Sequence, residues 1–330
     1  MLKNFKKVIS ITLLAAFMLG TNAFAAYTDV SEESDIYSAV QELSSFDILK
    51  GYEDNTFRPT DNITRAEMCA VVCRARGLES DADKWANAKG NFTDVTPEHW
   101  ANGYINAASW GKFVNGMGDD TFEPESNITY EQAVKMIVAA IGYGTMAEAS
   151  GGWPEGYLEI ADRYGISKGI GIAQTDSFAT RAIVAKLIYN ALPVPIMVLA
   201  EWIDTGDGFL RIPQFAAADG SGEIPYRSLI TELGAAKIEG SIVGTNEKKY
   251  NKSKCDADEV IYRFNDANDD EFWEDYLNKN VDKDNYACYT FKFENGTPVN
   301  KYLDVPSEIY VKKLSDGSYT IVGIRAAEEK

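Results

Sequence analysis

Two stretches of this chain match each other at a fixed offset of 65 residues. The identities that occur without a gap include nine that we use here, most of them at Gly, Pro, Asp, Thr and aromatic positions. These nine pairs are Asp29/Asp94, Val30/Val95, Gly51/Gly116, Thr56/Thr121, Phe57/Phe122, Pro59/Pro124, Asn62/Asn127, Ile63/Ile128 and Thr64/Thr129. A repeat of this period indicates one structural unit used more than once, so the functional question becomes what a repeated module binds.

Each copy is predicted to form a helix, a tight loop and a second helix. The motif aromatic-x-Asp-Val opens each copy, and we expect Asp29 and Asp94 to cap the first helix or its entry turn. The first helix should end at Gly51 or Gly116, because glycine readily adopts the left-handed C-cap conformation. A loop with the pattern Phe-x-Pro follows in both copies.

The second helix of each copy begins with a capping box. The hydroxyl of Thr64 and the carboxylate of Glu67 are spaced so that each satisfies a free backbone N–H of the first turn. Thr129 and Gln132 repeat this spacing. The sequence therefore fixes where both second helices begin.

A third, more divergent copy follows the first two. Trp153 and Gly169 have the same separation as Trp100 and Gly116, and Thr180 begins an apolar helix. This copy lacks the Asp-Val start, the Phe-x-Pro loop and the capping acid. One helix pair cannot bury both of its faces, so three units should pack together about a pseudo-threefold axis. The predicted helix–loop–helix units are residues 26–80, 91–145 and 150–192.

Beyond residue 192 the pattern changes from helices to strands. Residues 193–232 contain Gly, Pro and Asp, and we interpret them as an extended linker. Residues 233–330 are predicted to form a small β-rich domain, with an acidic helix around residues 272–276. The predicted strands are residues 237–243, 259–264, 286–293, 308–313 and 319–324. The expected fold class is mainly α in the first half, with a small β domain in the second.

Residues 1–25 have the features of a secretory signal peptide. Lysines precede an apolar run, and Ala23-Phe24-Ala25 forms a small-x-small cleavage signal. The apolar run is too short to cross a hydrocarbon core of ~30 Å, so we expect export without membrane insertion after cleavage. The formal net charge of −18 repels nucleic acid and anionic lipid surfaces.

The four cysteines do not form a disulfide framework. Cys69 and Cys73 lie on one face of a predicted helix, where small core residues are the favoured interpretation over a metal pair. Cys255 and Cys288 lie in the exported β region, so either a disulfide or two thiols is compatible with the sequence. We predict neither a metal site nor a cofactor.

The combined pattern resembles the S-layer homology (SLH) domain, which occurs in threes in bacterial surface proteins. The motifs that carry the resemblance are aromatic-x-Asp-Val, His99-Trp100-Ala101, Gly-x-x-Asp-x-Thr-Phe-x-Pro and Ile-Thr-Arg-Ala-Glu. The resemblance covers residues 27–192. It implies a three-pronged helical spindle that binds secondary cell-wall polysaccharide, often pyruvylated, attached to peptidoglycan in Gram-positive-type envelopes. It also implies that the Arg of Thr-Arg-Ala-Glu reaches the acidic sugar in grooves between units.

The position after each repeated threonine is therefore the expected site of anion binding. A residue there lies in the first helical turn, where free N–H groups and the helix dipole favour an anion. Arg65 and Arg181 add a planar fork that matches a carboxylate such as that of a pyruvyl ketal. The second copy has Tyr130 instead, which either stacks on a sugar face or marks a degenerate site.

Two tryptophans at matched helix starts are further candidates. Trp100 and Trp153 either pack on a pyranose ring or anchor the core beneath the loop, and the core role is the favoured one. His99, the single histidine of the chain, is interpreted as an ordinary surface residue.

The C-terminal region offers little support for an enzyme. It contains no histidine, which excludes Ser-His-Asp and Cys-His arrangements and the common zinc sites. A carboxylate pair for glycan hydrolysis remains an alternative, but the domain is small for such a cleft. The acidic stretch at residues 266–270 lacks the turn Gly and terminal Glu of a calcium loop. A surface lattice or an adaptor that binds another surface protein is the remaining alternative.

Overall fold

A computed structural model describes residues 27–170, 177–204, 211–218, 227–248, 255–264, 288–293, 297–315 and 317–327. The first half is helical and the C-terminal part is a β-barrel, as the predicted α-plus-β class requires. The helices are α1 (Tyr37–Ser45), α2 (Arg65–Ala75), α3 (Glu79–Trp85), α4 (Asn102–Trp110), α5 (Tyr130–Ala140), α6 (Gly144–Ala149), α7 (Glu155–Arg163), α8 (Arg181–Ala191) and α9 (Leu229–Glu232). The strands are β1 (Met197–Asp204), β2 (Arg211–Ala217), β3 (Ala235–Gly244), β4 (Glu259–Phe264), β5 (Cys288–Phe293), β6 (Pro306–Lys313) and β7 (Tyr319–Ala326).

The predicted signal peptide, the acidic helix around residues 272–276 and the acidic stretch at residues 266–270 lie outside the described residues. Within the described ranges, no helix has the length and apolar character needed to cross a bilayer. No group of acidic, His or Cys side chains in these ranges is arranged to hold a metal ion.

Helices α2, α5 and α8 begin at the three repeated threonines. Thr64 and Thr129 form the predicted capping boxes with Glu67 and Gln132, and Thr180 caps α8 without an acidic partner. The local sequence therefore sets the start of all three helices, as the capping pattern predicts.

The residues just before these helices form a closed ring of three backbone hydrogen bonds. The N–H of Ile63 donates to the carbonyl of Ala179 at 3.1 Å, and the N–H of Ala179 donates to Ile128 at 2.9 Å. The N–H of Ile128 completes the ring by donating to Ile63 at 3.0 Å. All three residues are fully buried. Each helix pair (α1/α2, α4/α5 and α7/α8) thus supplies a hydrogen-bond partner that a neighbouring pair needs in the core.

Asp29 and Asp94 bind the loop of their own copy instead of capping the first helix. The carboxylate of Asp29 accepts hydrogen bonds from the backbone N–H groups of Phe57 and Arg58, both at 2.7 Å. Asp94 makes the same pair of contacts in the second copy, at 2.8 and 2.7 Å. The predicted helix cap is wrong because the Asp-Val segment runs beside the Phe-x-Pro loop, where two adjacent N–H groups face the carboxylate.

Gly51 and Gly116 serve close packing and not the predicted left-handed cap. The left-handed residues after α1 and α4 are Asp47 and Lys112, each with φ of 60°. A Cβ atom on Gly51 would lie 2.1 Å from Cε1 of Tyr27, far inside contact distance. The glycine therefore allows the opening aromatic ring of the copy to lie directly on the loop backbone.

Replacing Gly51 by alanine is expected to lower the free energy of unfolding by about 1–3 kcal/mol, as overpacking does in general. The Tyr27 ring has little freedom to move, because its hydroxyl accepts the Gly51 N–H at 2.8 Å and contacts Ser44 at 3.0 Å. Urea unfolding of the full chain measures the loss. The matched control is Gly144→Ala, where the nearest atom to the new Cβ is 3.9 Å away. Equal stability of the two variants would contradict this account.

The described residues of the 193–232 segment (193–204, 211–218 and 227–232) are folded and do not form an extended linker. Strands β1 and β2 pair as an antiparallel hairpin, and α9 follows it. Five apolar side chains among the described residues of the segment are buried in the helical core: Val194, Ile196, Ala218, Leu229 and Ile230. The linker prediction is wrong because these isolated apolar residues, spaced among Gly and Pro positions, attach the segment to the core.

Strands β3 to β7 close into a five-stranded barrel in the order β3-β4-β5-β7-β6. Strands β5 and β7 pair in parallel, and the other neighbours are antiparallel. This is the strand order of the OB-fold, a Greek-key barrel. All five predicted strands form, with ends displaced by at most two residues. Buried side chains from all five strands, including Ile242, Tyr262, Phe291, Ile309 and Ile321, fill the interior.

A buried ion pair joins the barrel to the helical half. Arg325 of β7 contacts Glu42 of α1, and their side chains are only 13% and 3% exposed. The Arg325 Nη2 also donates to the Tyr189 carbonyl of α8 at 2.9 Å, and the Ser45 hydroxyl donates to the Val322 carbonyl at 2.8 Å. Because leaving either charge unpaired in the interior is costly, the pair fixes the position of the barrel on α1 and α8.

The cysteines described by the structure are free thiols. Cys69 and Cys73 are buried on α2, as predicted, and burial raises the pKa of Cys73 to about 12. These thiols stay protonated at neutral pH and are poor metal ligands. Cys255 is also free and packs against Val243 and Ile261. The side chain of Cys288 lies outside the described part of the chain, so the choice between a disulfide and two thiols stays a prediction.

Candidate functional site

Arg65 lies at the junction between two helix pairs and is 94% buried, with 6% of its surface exposed. Its Nε donates to the Phe122 carbonyl at 2.8 Å, and its Nη2 donates to the Asn115 carbonyl at 3.1 Å. The guanidinium carbon also lies 4.5 Å from the centre of the Phe122 ring. Burial lowers the pKa of Arg65 from its usual value. Most of this side chain therefore holds the loop of the second copy against α2.

Arg181 repeats this arrangement against the loop of the first copy. Its Nε donates to the Phe57 carbonyl and its Nη2 to the Lys50 carbonyl, both at 2.7 Å. The guanidinium carbon lies 4.8 Å from the centre of the Phe57 ring. Sequence reasoning missed this structural role of the two arginines.

A groove of about 280 Å³ opens beside Arg65. The Arg65 Nη1 lies 3.4 Å from Oε1 of Gln132, which also lines the groove. Lys135, which sequence reasoning did not select, lies on the same face of α5, and its Nζ is 5.1 Å from the centre of the Trp153 ring. No carboxylate pairs with Lys135 among the described residues. The groove thus presents an ammonium group, part of a guanidinium group and an exposed indole.

The matching positions beside Arg181 have a different charge. Counting back from Gln132 and Lys135 by the repeat offset of 65 gives Glu67 and Ala70. Glu67 keeps its carboxylate in the capping box, where it accepts the Thr64 N–H at 2.8 Å. Beside Arg181, the acid Glu67 therefore takes the place of the Gln132 amide, and Ala70 takes the place of Lys135.

The matching positions beside Tyr130 contain a lysine that is already paired. Counting forward from Lys135 by the offset between Thr129 and Thr180 gives Lys186. The Lys186 ammonium forms an ion pair with Asp35 and donates to the Gly169 carbonyl at 3.0 Å. Asp35 occupies the position equivalent to Trp100 in the first copy, so an acid stands where the other copies have tryptophan.

The remaining predicted site residues divide between exposed and buried positions. Trp100 and Trp153 are 56% and 45% exposed, so the favoured core-anchor interpretation is wrong for both. Tyr130 is buried at 8% exposure. His99 is held in place, because its Nε2 lies 3.0 Å from Glu125 and its Nδ1 accepts the Ala101 N–H at 3.1 Å. The structure therefore brings Arg65 and Trp153 to one groove, together with Lys135.

The family model of the S-layer homology domain matches residues 26–69 and 91–134, which contain the first two copies. The chain therefore contains two S-layer homology domains. The two matched segments hold the Asp-Val start, the Phe-x-Pro loop and the capping box of each copy.

Proteins of bacterial surfaces are similar to this chain. A middle cell wall protein of Brevibacillus brevis is 34% identical over 204 residues, which is 60% of this chain and 19% of that protein. A surface layer protein of Brevibacillus choshinensis is 34% identical over 205 residues, 61% of this chain and 18% of that protein. A cellulosome-anchoring protein of Acetivibrio thermocellus is 25% identical over 127 residues, 38% of this chain and 28% of that protein. The chain thus spans less than a third of each relative, and the SLH match with these relatives supports a cell-surface location.

Proposed function

We propose that this protein attaches itself non-covalently to the bacterial cell wall by binding an acidic secondary cell-wall polysaccharide, of the pyruvylated kind, in the groove beside Arg65. One observation carries the proposal: the Lys135 ammonium lies over the exposed Trp153 ring with no acidic partner among the described residues. The chain has a large negative charge, so an anionic ligand needs such a local cation to be captured.

The three related positions rank differently as anion sites. Beside Arg65 the cation Lys135 has no acidic partner in the part of the chain that the structure describes, whereas beside Tyr130 the cation Lys186 is neutralised by Asp35. Beside Arg181 the equivalent of the lysine is Ala70, and an acid stands nearby on α2. An anionic sugar would meet repulsion or a pre-formed ion pair at the last two positions. We therefore propose one principal binding groove per chain.

A pyruvylated sugar matches the groups in this groove. Its carboxylate would accept charge-assisted hydrogen bonds from Lys135 and from the outer edge of Arg65, and its ring would pack on Trp153. The buried part of Arg65 keeps the fork rigid, because two backbone carbonyls hold it. A pre-positioned cation loses less conformational entropy on binding than a free side chain.

The groove depends on the arrangement of the three helix pairs. The third pair, α7/α8, supplies Trp153 and closes the backbone ring through Ala179. We propose that it is a third SLH unit, with domain limits near residues 150–192, and that the three units form a pseudo-threefold spindle. The family match covers only the first two copies, so this assignment rests on the ring and on the equivalent arginine contacts.

We infer a binding role and not a catalytic one for the chain. The barrel domain contains no histidine, and relatives of this chain carry cell-wall and surface-layer names. Assembly into a lattice, or capture of another surface protein by the barrel, remains compatible with wall attachment and would add to it.

Wall attachment is tested by sedimentation of the purified chain with isolated cell walls. We expect co-sedimentation with intact walls and a loss of most binding after acid treatment that removes pyruvyl groups and wall polymer. A chain that sediments equally with stripped peptidoglycan would contradict the proposal, because the ligand would then be the peptidoglycan itself.

A further inference from the structure

A second recess lies between the helical half and the barrel, away from the Arg65 groove. It has a volume of about 840 Å³, within the ~300–1,000 Å³ typical of ligand sites. The loop and helix around Tyr164 and Tyr189 form one wall. Strands β3, β6 and β7 form the other, through Glu239, Glu308 and Ala326. We call this recess the interdomain cleft.

The ion pair described above makes the interdomain cleft a pre-formed site. Arg325 lines the cleft and joins its two walls, because it contacts Glu42 and donates to the Tyr189 carbonyl. Its Nε is buried and has no hydrogen-bond partner within the described part of the chain. On the helical wall, Asn190 donates to the carbonyls of Ile166 and Lys168 at 3.0 and 2.9 Å. Both walls are thus held in place without a ligand.

The charged side chains on the barrel wall of the cleft pair with one another, and Lys168 on the helical wall is not without a partner either. Lys237 contacts Glu308 at 2.7 Å and Glu239 at 3.3 Å. The Tyr310 hydroxyl donates to the second oxygen of Glu308 at 3.1 Å. A charged ligand would have to break one of these pairs, which is unfavourable in a partly buried site. The cleft therefore favours a ligand that has many hydroxyl or amide groups and no net charge.

The aromatic groups of the cleft favour a ring-shaped ligand. Tyr164 is half-buried and rests on Tyr143 with ring centres 4.4 Å apart, so its position is fixed. Tyr189 is half-buried and held against Arg325 at 3.9 Å. Aromatic side chains with a polar end and carboxylates that accept hydroxyl groups are the partners that a sugar ring needs.

We propose that the interdomain cleft binds an uncharged saccharide. This site is distinct from the groove beside Arg65 and requires neither Arg65 nor Lys135. The barrel would then contribute a second glycan contact to the chain, on the β3/β6/β7 side of the barrel, in addition to the anionic contact of the helical half.

Titration calorimetry with neutral tetrasaccharides tests this proposal in the full chain. The probes are cellotetraose, chitotetraose and mannotetraose, with tetragalacturonate as the acidic comparison. We expect at least one neutral probe to bind and the acidic probe to bind at least tenfold more weakly. Failure of all three neutral probes to bind at millimolar concentration would overturn the proposal.

Two variants locate the site and separate it from wall attachment. Ala326→Trp places a large side chain on an exposed position of the cleft and should weaken neutral-saccharide binding at least tenfold. Glu239→Gln, whose carboxylate is partly exposed, provides a second variant that keeps side-chain size and should weaken it as well. Lys135→Ala should leave it unchanged. Saccharide binding that survives Ala326→Trp, or that is lost in Lys135→Ala, would overturn the assignment.

Discussion

Replacing Arg325 by alanine should lower the free energy of unfolding by about 3–5 kcal/mol, the cost of leaving one member of a buried ion pair without its partner. Glu42 is 3% exposed and would lose its cation in an apolar environment. The variant would also lose the hydrogen bond to the Tyr189 carbonyl. Urea unfolding of the full chain, followed by circular dichroism, measures the loss.

The pH dependence of this loss has a definite sign. Burial raises the pKa of Glu42, and Arg325 opposes that effect. Once Arg325 is removed, the folded protein favours the protonated form of the Glu42 carboxyl. The variant therefore loses free energy of unfolding only at pH values where Glu42 would be ionised in the unfolded chain. The difference from the wild type should be smallest at acid pH, where Glu42 is protonated in both folded proteins, and should grow as pH rises above the raised pKa that Glu42 has in the wild type.

The matched control for Arg325 is an exposed ion pair of the same type. Arg163 pairs with Glu159 on α7, with both side chains about half exposed. Arg163→Ala should change stability by less than about 1 kcal/mol, because exposed pairs are weak. Equal losses in the two variants, or a loss at Arg325 that does not vary with pH, would contradict the interdomain role of the buried pair.

Replacing Lys135 by alanine should weaken binding of the acidic wall polymer about tenfold or more. A hydrogen bond to a charged group contributes ~1.5–3 kcal/mol, and 1.4 kcal/mol corresponds to a factor of ten in affinity. Folding should be little affected, because Lys135 has no ion pair among the described residues. Arg65→Ala is a poorer test, since it would also remove the bonds to the Phe122 and Asn115 carbonyls.

The parts of the fold that depend on local sequence were predictable. Capping boxes at Thr64 and Thr129 and the five barrel strands follow from patterns of a few adjacent residues. The roles of Asp29 and Gly51 were not predictable in this way, because their partners lie 24 to 29 residues away along the chain. The closure of the barrel depends likewise on the parallel pairing of β5 and β7, which no local pattern specifies.

The candidate site was predicted in outline and changed in detail. Arg65 and Trp153 lie at one groove, but the repeat pattern did not reveal that two carbonyls of the next copy occupy most of the guanidinium group. Lys135 escaped notice because it differs between the first two copies, where the repeat drew attention to identities. Differences between equivalent positions, such as Ala70, Lys135 and Lys186, carry the information about binding.

Calorimetric titration of a pyruvylated wall-polymer fragment into the wild type, Lys135→Ala and Lys186→Ala tests whether the acidic wall polymer binds in the groove beside Arg65. Lys186 is the matched control, because it occupies the equivalent position and is already paired with Asp35. We expect one site per chain. The affinity for the fragment should be about tenfold weaker in Lys135→Ala and unchanged in Lys186→Ala. Unchanged affinity in Lys135→Ala, or an equal loss in Lys186→Ala, would contradict it.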